Sequence, residues 1–194
     1  MAAVSNILFL VHRLPYPPNK GDKVRSYHLL RHLLKSHRVF LGTFIDDPED
    51  EQYLPVLRAL CPDLHVERLQ PRTAKIRSLS ALATGEALTL AYYHRPSLAA
   101  WVQGVAAQHD LRASVVFSSA MAPYAQALAP DVPMLVDFVD VDSVKWSQYA
   151  DNHRWPLSWL YRREGRTLLT YERAVAAQAR QSFFVTSNEV DLFL

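Results

Sequence analysis

The sequence predicts an α/β fold in which helices cover a mostly parallel, doubly wound sheet. Apolar runs of strand length recur along the chain, and longer segments with helical periodicity separate them, which is the pattern of βαβ units. With 194 residues, 49% of them hydrophobic, the chain is long enough for one domain with a sizeable core. Six candidate strands cover residues 7–11, 39–45, 64–69, 114–117, 134–138 and 182–185. These observations predict a single Rossmann-like domain over residues 1–194.

The first helices can be placed from their apolar spacing and their start signals. The first is predicted to begin with Asp22 as its N-cap and to bury one apolar face. That face consists of Val24, Tyr27, Leu30, Leu33 and Leu34. The second crossover opens with the acidic segment 46–51 around Pro48, which predicts a solvated helix start.

Three further features predict the remaining helices. The longest crossover, residues 70–108, is predicted to hold two helices divided near residues 84–96, and a long helical pattern runs from about residue 156 to 178. After the last candidate strand, the capping turn 186–188 precedes a new periodic segment. Because a natural domain seldom ends by opening a helix, we expect this sequence to be part of a longer protein.

Composition and charge exclude several classes of protein. There are 21 Lys and Arg residues against 19 Asp and Glu, a balance too even for a nucleic-acid binder that works by bulk electrostatics. Cys61 is the only cysteine, so the chain has no internal disulfide and no thiolate zinc site. The apolar run 7–11 is too short for a secretory signal, and no stretch approaches the roughly 20 apolar residues of a membrane span. We therefore expect a cytoplasmic protein, with peripheral contact to the inner face of the membrane left open.

The loop after the first candidate strand is the first candidate binding site. In a doubly wound sheet it lies at the carboxyl end of a central strand, where ligands bind and helix N-terminal amides hold anions. Gly21 would let the backbone approach a ligand, and Lys20 and Arg25 would supply positive charge. The loop contains neither a dinucleotide fingerprint nor a P-loop. A rigid turn with solvated charges is the alternative interpretation.

Carboxylates and hydroxyls follow two later strands. Asp137, Asp140 and Asp142 lie at the carboxyl end of the fifth strand, where they could act as acid and base or bind a divalent metal. Asp142 or Ser143 is more simply explained as a helix N-cap, which leaves Asp137 and Asp140 as the pair of interest. After the fourth strand, the serines at 118 and 119 are expected to cap a helix, because no G-x-S-x-G elbow is present. They could still donate hydrogen bonds to a ligand hydroxyl.

Two other patterns have a structural and a functional interpretation. His28 and His32 have the spacing of zinc ligands, but the Glu of H-E-x-x-H is absent, so we expect surface histidines and no metal site. Segment 71–93 interleaves apolar residues with basic ones, as do helices that lie on anionic bilayers. These residues include Ile76, Leu79 and Leu82 with Arg72, Lys75 and Arg77. The alternative is a crossover helix packed on the sheet.

Three stretches resemble the amino-terminal domain of bacterial glycosyltransferases with the two-domain GT-B fold, most closely the sugar transferases of exopolysaccharide and PEP-CTERM gene clusters. They are H-R-L-P-Y-P-P-N-K-G-D-K-V-R-S-Y-H-L-L-R-H-L at 12–33, H-R-V-F-L-G-T-F-I-D-D-P-E-D at 37–50 and D-F-V-D-V-D-S-V-K-W at 137–146. The resemblance implies that residues 1–194 are the acceptor-side domain. The donor-binding C-terminal domain, with its E-x-x-x-x-x-x-x-E motif, would lie outside this sequence.

The resemblance also implies site residues. Asn19, Lys20, Gly21 and Asp22, together with Arg25, correspond to the loop that meets the acceptor and the donor phosphates. Ser118 and Ser119 fall where many relatives have an active-site histidine. Asp140 lies in the loop after the next strand and is the candidate catalytic residue, with Asp137 as a candidate substrate ligand.

The expected function is therefore acceptor binding in a retaining glycosyltransferase. Such an enzyme transfers a sugar from a nucleotide sugar to a glycan or lipid-linked acceptor in exopolysaccharide biosynthesis. The domain needs no cofactor of its own, and the isolated chain is expected to be inactive. Two alternatives remain open: a metal-dependent transferase that uses the D-x-D residues Asp140 and Asp142, and a self-contained Rossmann-like binding module without catalysis.

Overall fold

Residues 4–193, which a computed structural model describes, contain one sheet of six parallel strands flanked by helices. The strands are β1 (Ser5–Val11), β2 (His37–Ile45), β3 (Leu64–Arg68), β4 (Leu111–Phe117), β5 (Met134–Asp137) and β6 (Gln181–Phe183). Their spatial order is β3-β2-β1-β4-β5-β6, and every neighbouring pair is parallel. The predicted α/β fold with a Rossmann-like sheet is confirmed.

The order of the strands reverses between β1 and β4. From β1 the chain builds β2 and β3 outward on one side, and from β4 it builds β5 and β6 outward on the other. The crossovers that leave β1 and β4 therefore run to opposite sides, which leaves a crevice at the carboxyl ends of these two strands.

The described residues contain ten helices, nine between strands and one after β6. They are α1 (Gly21–Leu33), α2 (Leu54–Leu60), α3 (Pro71–Ser78), α4 (Ala81–Thr84), α5 (Leu88–Tyr93), α6 (Pro96–Gln108), α7 (Ala122–Gln126), α8 (Asp142–Asp151), α9 (Leu157–Gln178) and α10 (Ser187–Phe193). Short 3-10 turns occupy Pro48–Tyr53 and Ser119–Met121. No helix in residues 4–193 combines the length and the apolar character that crossing a membrane requires.

The start and the buried face of α1 differ from the prediction. The N-cap is Lys20, without a side-chain hydrogen bond, and Asp22 lies in the first turn instead. The buried positions include Lys23, whereas the predicted apolar position Val24 is exposed. The reason is electrostatic, because the Lys23 ammonium lies 2.6 Å from the Asp50 carboxylate in the interior. The same pair shows that the acidic segment 46–51 is not wholly solvated.

Residues 70–108 form four helices, α3 to α6, where two were predicted. Pro71 and Pro96 each occupy the first turn of a helix, where a missing N–H is harmless. Gly85 ends α4 with a φ of 82°, a left-handed conformation that favours glycine. Three breaks therefore divide this segment into four helices. Its apolar spacing alone is also compatible with two longer helices, which is why two were predicted.

The long helix and the last capping turn were correctly predicted. The helix α9 occupies nearly all of the predicted segment. Before α10, the Glu189 N–H donates to the Thr186 hydroxyl, and the Thr186 N–H donates to the Glu189 carboxylate. This reciprocal pair is a capping box, which satisfies backbone donors at a helix start.

The central strands are buried on both faces of the sheet, because their alternate residues belong to two separate apolar clusters. Leu8 and Leu10 of β1 pack in one cluster with Leu98 of α6. Phe9 packs on the other face with Leu30 of α1. Burial on both faces explains why β1 is apolar throughout rather than alternating.

Candidate functional site

A cavity of about 810 Å³ lies at the carboxyl ends of the strands that flank the reversal of strand order. His12 and Arg13 follow β1, Ser118 follows β4, and Val139 and Asp140 follow β5, and all five line the cavity. This is the position at which open α/β sheets bind ligands. The cavity is therefore the candidate functional site.

Two residues in the wall of the cavity have strained backbones. Ser118 has a φ of 81° and Val139 a φ of 64°, although neither is a glycine and valine is branched at Cβ. Val139 is the centre of a three-residue turn in which the Asp140 N–H donates to the Phe138 carbonyl at 2.6 Å. Each such conformation costs about 1–3 kcal/mol and is found preferentially at functional sites. The strain supports the assignment of the cavity as the site.

His12 extends from the end of β1 into this cavity. Its ring stacks on Phe117 with a centroid distance of 6.2 Å and meets the edge of Tyr93. The side chain is only 14% exposed. Burial lowers the pKa of His12, although the carboxylates of Asp142 and Asp22 oppose this shift. The imidazole is therefore neutral near neutral pH.

A network of charges connects the loop after β1 with the end of β2. The Arg13 guanidinium lies 2.9 Å from the Asp46 carboxylate and 3.3 Å from that of Asp22. Burial would raise the pKa of Asp22, but His12 and Arg13 hold it below its ordinary value. Asp22 is thus a fixed carboxylate on the cavity wall, beside the imidazole.

The residues predicted for this loop separate into two groups. Gly21 and Asp22 line the cavity. Asn19 and Lys20 are exposed and are not part of its wall, and Arg25 is directed away to an ion pair with Asp137 at 2.9 Å. Of these five predicted residues, only the first two residues of α1 therefore line the cavity.

Asp137 supports the strained turn after β5. Its carboxylate accepts the Val139 N–H at 3.0 Å and pairs with Arg25. Burial raises the pKa of Asp137, against the effects of the Val139 N–H and Arg25. The buried carboxylate is occupied by these two partners and is absent from the cavity wall, so it positions the turn.

Asp140 and Asp142 share one cation. The Lys145 ammonium lies 2.6 Å from the Asp140 carboxylate and 3.4 Å from that of Asp142. Although burial would lower the pKa of Lys145, the two carboxylates raise it above its ordinary value, so the ammonium stays charged. In residues 4–193, no three His, Cys, Asp or Glu side chains are grouped as a metal site. The three side chains instead form a charged wall of the cavity.

The helix after these aspartates begins differently from the prediction. Val141 is the N-cap of α8, and neither Asp142 nor Ser143 caps it through its side chain. Asp142 is the first helical residue, and the Ser143 hydroxyl donates to the Glu172 carboxylate at 2.6 Å. Ser143 was a predicted cap of α8, but its hydroxyl instead bonds to the buried Glu172 carboxylate of α9.

The serines after β4 differ from each other. The Ser118 hydroxyl accepts the Ala120 N–H at 3.4 Å, as expected for a capping serine, and the side chain also lines the cavity. The Ser119 hydroxyl is buried behind the cavity and donates to Glu172 at 3.4 Å. Only Ser118 is therefore placed to meet a ligand.

Two buried glutamates of α9 were not identified from the sequence. Burial raises the pKa of Glu172 to about 7, and the Ser143 and Ser119 hydroxyls partly oppose this shift. The Glu164 carboxylate accepts the Leu88 N–H at 2.7 Å and the Thr89 N–H at 2.9 Å. It thereby caps α5, the helix that brings Tyr92 and Tyr93 to the cavity. Both glutamates lie on the buried face of α9, where the amphipathic pattern of the helix calls for apolar residues. A charged residue at such a position is the sequence signal that could have identified them.

A scan against family models and a search of curated proteins give no match to this chain. The interpretation of the site therefore depends on its geometry.

Proposed function

We propose that this domain binds the acceptor of a retaining glycosyltransferase, and that a separate domain binds the nucleotide sugar. The observation that carries the proposal is the composition of the cavity at the sheet's switch point. Its wall combines the charged groups described above with hydroxyls and with the aromatic rings of Tyr92, Trp146 and Tyr161. Polar groups orient a polyhydroxylated ligand, and aromatic faces cover its apolar C–H surface. The sequence resemblance points to the same class of ligand.

Within this proposal, His12 orients the acceptor hydroxyl. A neutral imidazole accepts a hydrogen bond from a hydroxyl group, and burial keeps His12 neutral. The Asp22 carboxylate stabilises any positive charge that develops on the ring. The domain thus contributes to sugar transfer by holding one hydroxyl in a productive direction and shielding it from water.

The metal-dependent alternative receives less support. A D-x-D site needs carboxylate oxygens that are free to ligate a divalent cation. The Lys145 ammonium already lies between Asp140 and Asp142, and a metal ion would have to displace it. Asp140 is therefore proposed to take part in binding through its pair with Lys145 rather than as a metal ligand.

A saccharide titration of the isotope-labelled chain tests the proposal. Mono- and oligosaccharides are expected to shift the NMR signals of His12 and of the Trp146 indole, which line the cavity. The variant His12→Ala is expected to weaken binding by about tenfold, the effect of one lost hydrogen bond to an oriented group. The matched control is His28→Ala, because that histidine is exposed on α1. Shifts confined to other surfaces, or equal affinity in all three proteins, would contradict the proposal.

A transfer assay separates the proposal from the binding-module alternative. The isolated chain is expected to show no transfer from nucleotide sugars, because the proposal assigns donor binding to another domain. Joined to a donor-binding domain, it is expected to transfer sugar, and this activity should decrease in His12→Ala. Robust turnover by the isolated chain would contradict the division of roles. Saccharide binding without transfer in the joined protein would favour a binding module.

A further inference from the structure

Large apolar side chains are exposed on two elements beside the cavity. In the segment formed by α3 and α4, Ile76 is 71% exposed, and Leu79, between the two helices, and Leu82 are exposed as well. Before and within the first turn of α9, Trp155 is 81% exposed and Trp159 is also exposed. Exposed apolar clusters of this kind mark interaction surfaces more often than scattered single residues do.

The helices α3 and α4 do not pack against the rest of the protein through these large apolar side chains. The buried positions of the two helices are the small residues Ala74, Ser78 and Ala81. An ordinary surface helix buries its large apolar residues and exposes its polar ones. Here the small residues face the protein and the large aliphatic ones face outward, so the expected alternative of a crossover helix packed through Ile76, Leu79 and Leu82 is wrong.

The two elements belong to one surface. Leu79 of the α3–α4 segment and Leu157 of α9 line the same cavity. The Arg163 guanidinium of α9 donates to the Ala81 carbonyl of α4 at 2.9 Å, which joins the elements directly. We call the exposed apolar residues of these two elements the apolar rim, of which Leu79 and Leu157 line the cavity itself. The rim consists of Ile76, Leu79, Leu82, Trp155, Leu157 and Trp159.

Basic side chains accompany the rim on both elements. In the segments 71–93 and 149–166, six exposed residues are Lys or Arg and two are acidic. The basic ones are Arg72, Lys75, Arg77, Arg154, Arg162 and Arg166, and the acidic ones are Glu86 and Asp151. Trp155 and Trp159 line a second groove together with Arg162 and Arg166. Tryptophan beside arginine is typical of the interface between lipid headgroups and acyl chains.

We propose that the apolar rim contacts an anionic lipid bilayer and places the mouth of the cavity against it. Charge complementarity favours this partner, because anionic headgroups attract the basic residues while the aliphatic and tryptophan side chains enter the acyl boundary. The contact itself does not depend on the proposed function. Its consequence does rest on that function, because a cavity opening toward the bilayer would receive an acceptor that is anchored there by a lipid.

Vesicle sedimentation tests this inference with the full chain. Binding is expected to vesicles of phosphatidylcholine with phosphatidylglycerol, to decrease at high salt, and to be weak with phosphatidylcholine alone. Replacing Arg72, Lys75 and Arg77 together by Gln is expected to reduce the partition coefficient about 100-fold, at about fivefold for each charge. The matched control replaces Arg31, Lys35 and Arg58 by Gln. Arg31 and Arg58 are exposed on α1 and α2, and Lys35 is exposed just after α1, on the opposite face of the sheet.

A second variant tests the apolar part of the rim. Ile76→Ser, Leu79→Ser and Leu82→Ser remove exposed side chains, so the fold is expected to remain intact and binding to be lost even at low salt. Val56→Ser, on α2, is the apolar control because its side chain is also exposed. No binding to anionic vesicles, or equal losses in rim and control variants, would overturn the inference. The saccharide titration is independent of vesicles, so failure of the bilayer contact and failure of the proposed function are distinguishable.

Discussion

The His12 imidazole Nε2 lies 3.7 Å from the Asp22 carboxylate, across the loop that joins β1 to α1. The loop places the two groups on one wall of the cavity, although they are ten positions apart in the chain. Asp22 is held in turn by Arg13, which is anchored on Asp46. The pair thus has a fixed geometry before a ligand binds, which reduces the cost of orienting a hydroxyl.

The first prediction concerns the titration of this pair. Burial lowers the pKa of His12, and the carboxylates of Asp142 and Asp22 oppose that shift. Asp22→Asn removes one opposing charge, so the pKa of His12 is expected to fall further. An NMR pH titration of the imidazole signals measures this directly. Asp47→Asn is the control, because the Asp47 side chain caps its own 3-10 turn. An unchanged or raised His12 pKa in Asp22→Asn would contradict the assigned geometry.

A second prediction follows from the buried carboxyl of Glu172. Its pKa is raised from 4.5 to about 7, mainly by burial, so the folded protein binds more protons than the unfolded chain between these values. The free energy of unfolding therefore contains a contribution that is present below about pH 4.5 and is lost as pH rises through about 7. Glu172→Gln is expected to remove this dependence.

Urea unfolding at about pH 5 and about pH 8 measures the effect. Relative to Glu172→Gln, the parent chain is expected to lose roughly 2–3 kcal/mol of unfolding free energy between these conditions. Glu86→Gln is the control, since Glu86 is exposed. Parallel pH profiles of the parent and Glu172→Gln would show that this carboxyl does not titrate in the folded state.

The third prediction concerns the buried pair of Lys23 and Asp50, whose side chains are 3% and 8% exposed. Lys23→Met or Asp50→Leu alone leaves an uncompensated buried charge, which is expected to lower the free energy of unfolding by about 3–5 kcal/mol. The double variant Lys23→Met with Asp50→Leu is expected to be much less destabilised than either single variant, because no charge is left unpaired. A double-mutant cycle in urea checks both. Additive losses would show that the two groups do not interact.

The sheet could be predicted because each strand carries its own signal. A run of apolar residues between polar turns is a local property, and six such runs identified six strands. The start of α1 could not be predicted in the same way. The preference of Asp22 for an N-cap was overridden by Arg13 and His12, and Lys23 became buried because Asp50 neutralises it, 27 residues later in the chain.

The candidate site was predictable in position but not in detail. Because the carboxyl ends of parallel strands meet at one edge, the segments that follow β1, β4 and β5 had to converge, and Gly21, Asp22, Ser118 and Asp140 line the cavity there. The roles of Glu164 and Glu172 could not be predicted, since each is set by partners 29 to 76 residues away. The same holds for Arg25 of α1, whose partner Asp137 lies at the end of β5.

The last prediction tests whether the β1–α1 loop binds a ligand or is only a rigid turn. Gly21 lines the cavity, and a Cβ atom built on it meets nothing within 4 Å. Gly21→Val should therefore leave the free energy of unfolding within about 1 kcal/mol of the parent value, while its side chain enters the space that a ligand would occupy. Saccharide affinity in the NMR titration is expected to fall at least about tenfold.

Gly104→Val provides a matched control for this variant. Gly104 lies within α6, and a Cβ atom there also meets nothing within 4 Å, but this glycine does not line the cavity. The same substitution at the two positions therefore separates the effect of a side chain in the cavity from the general effect of Gly→Val in a helix. If Gly21→Val lowers the melting temperature much more than Gly104→Val does, the loop is a structural turn. If both variants bind saccharide as the parent does, the ligand does not approach the backbone at Gly21.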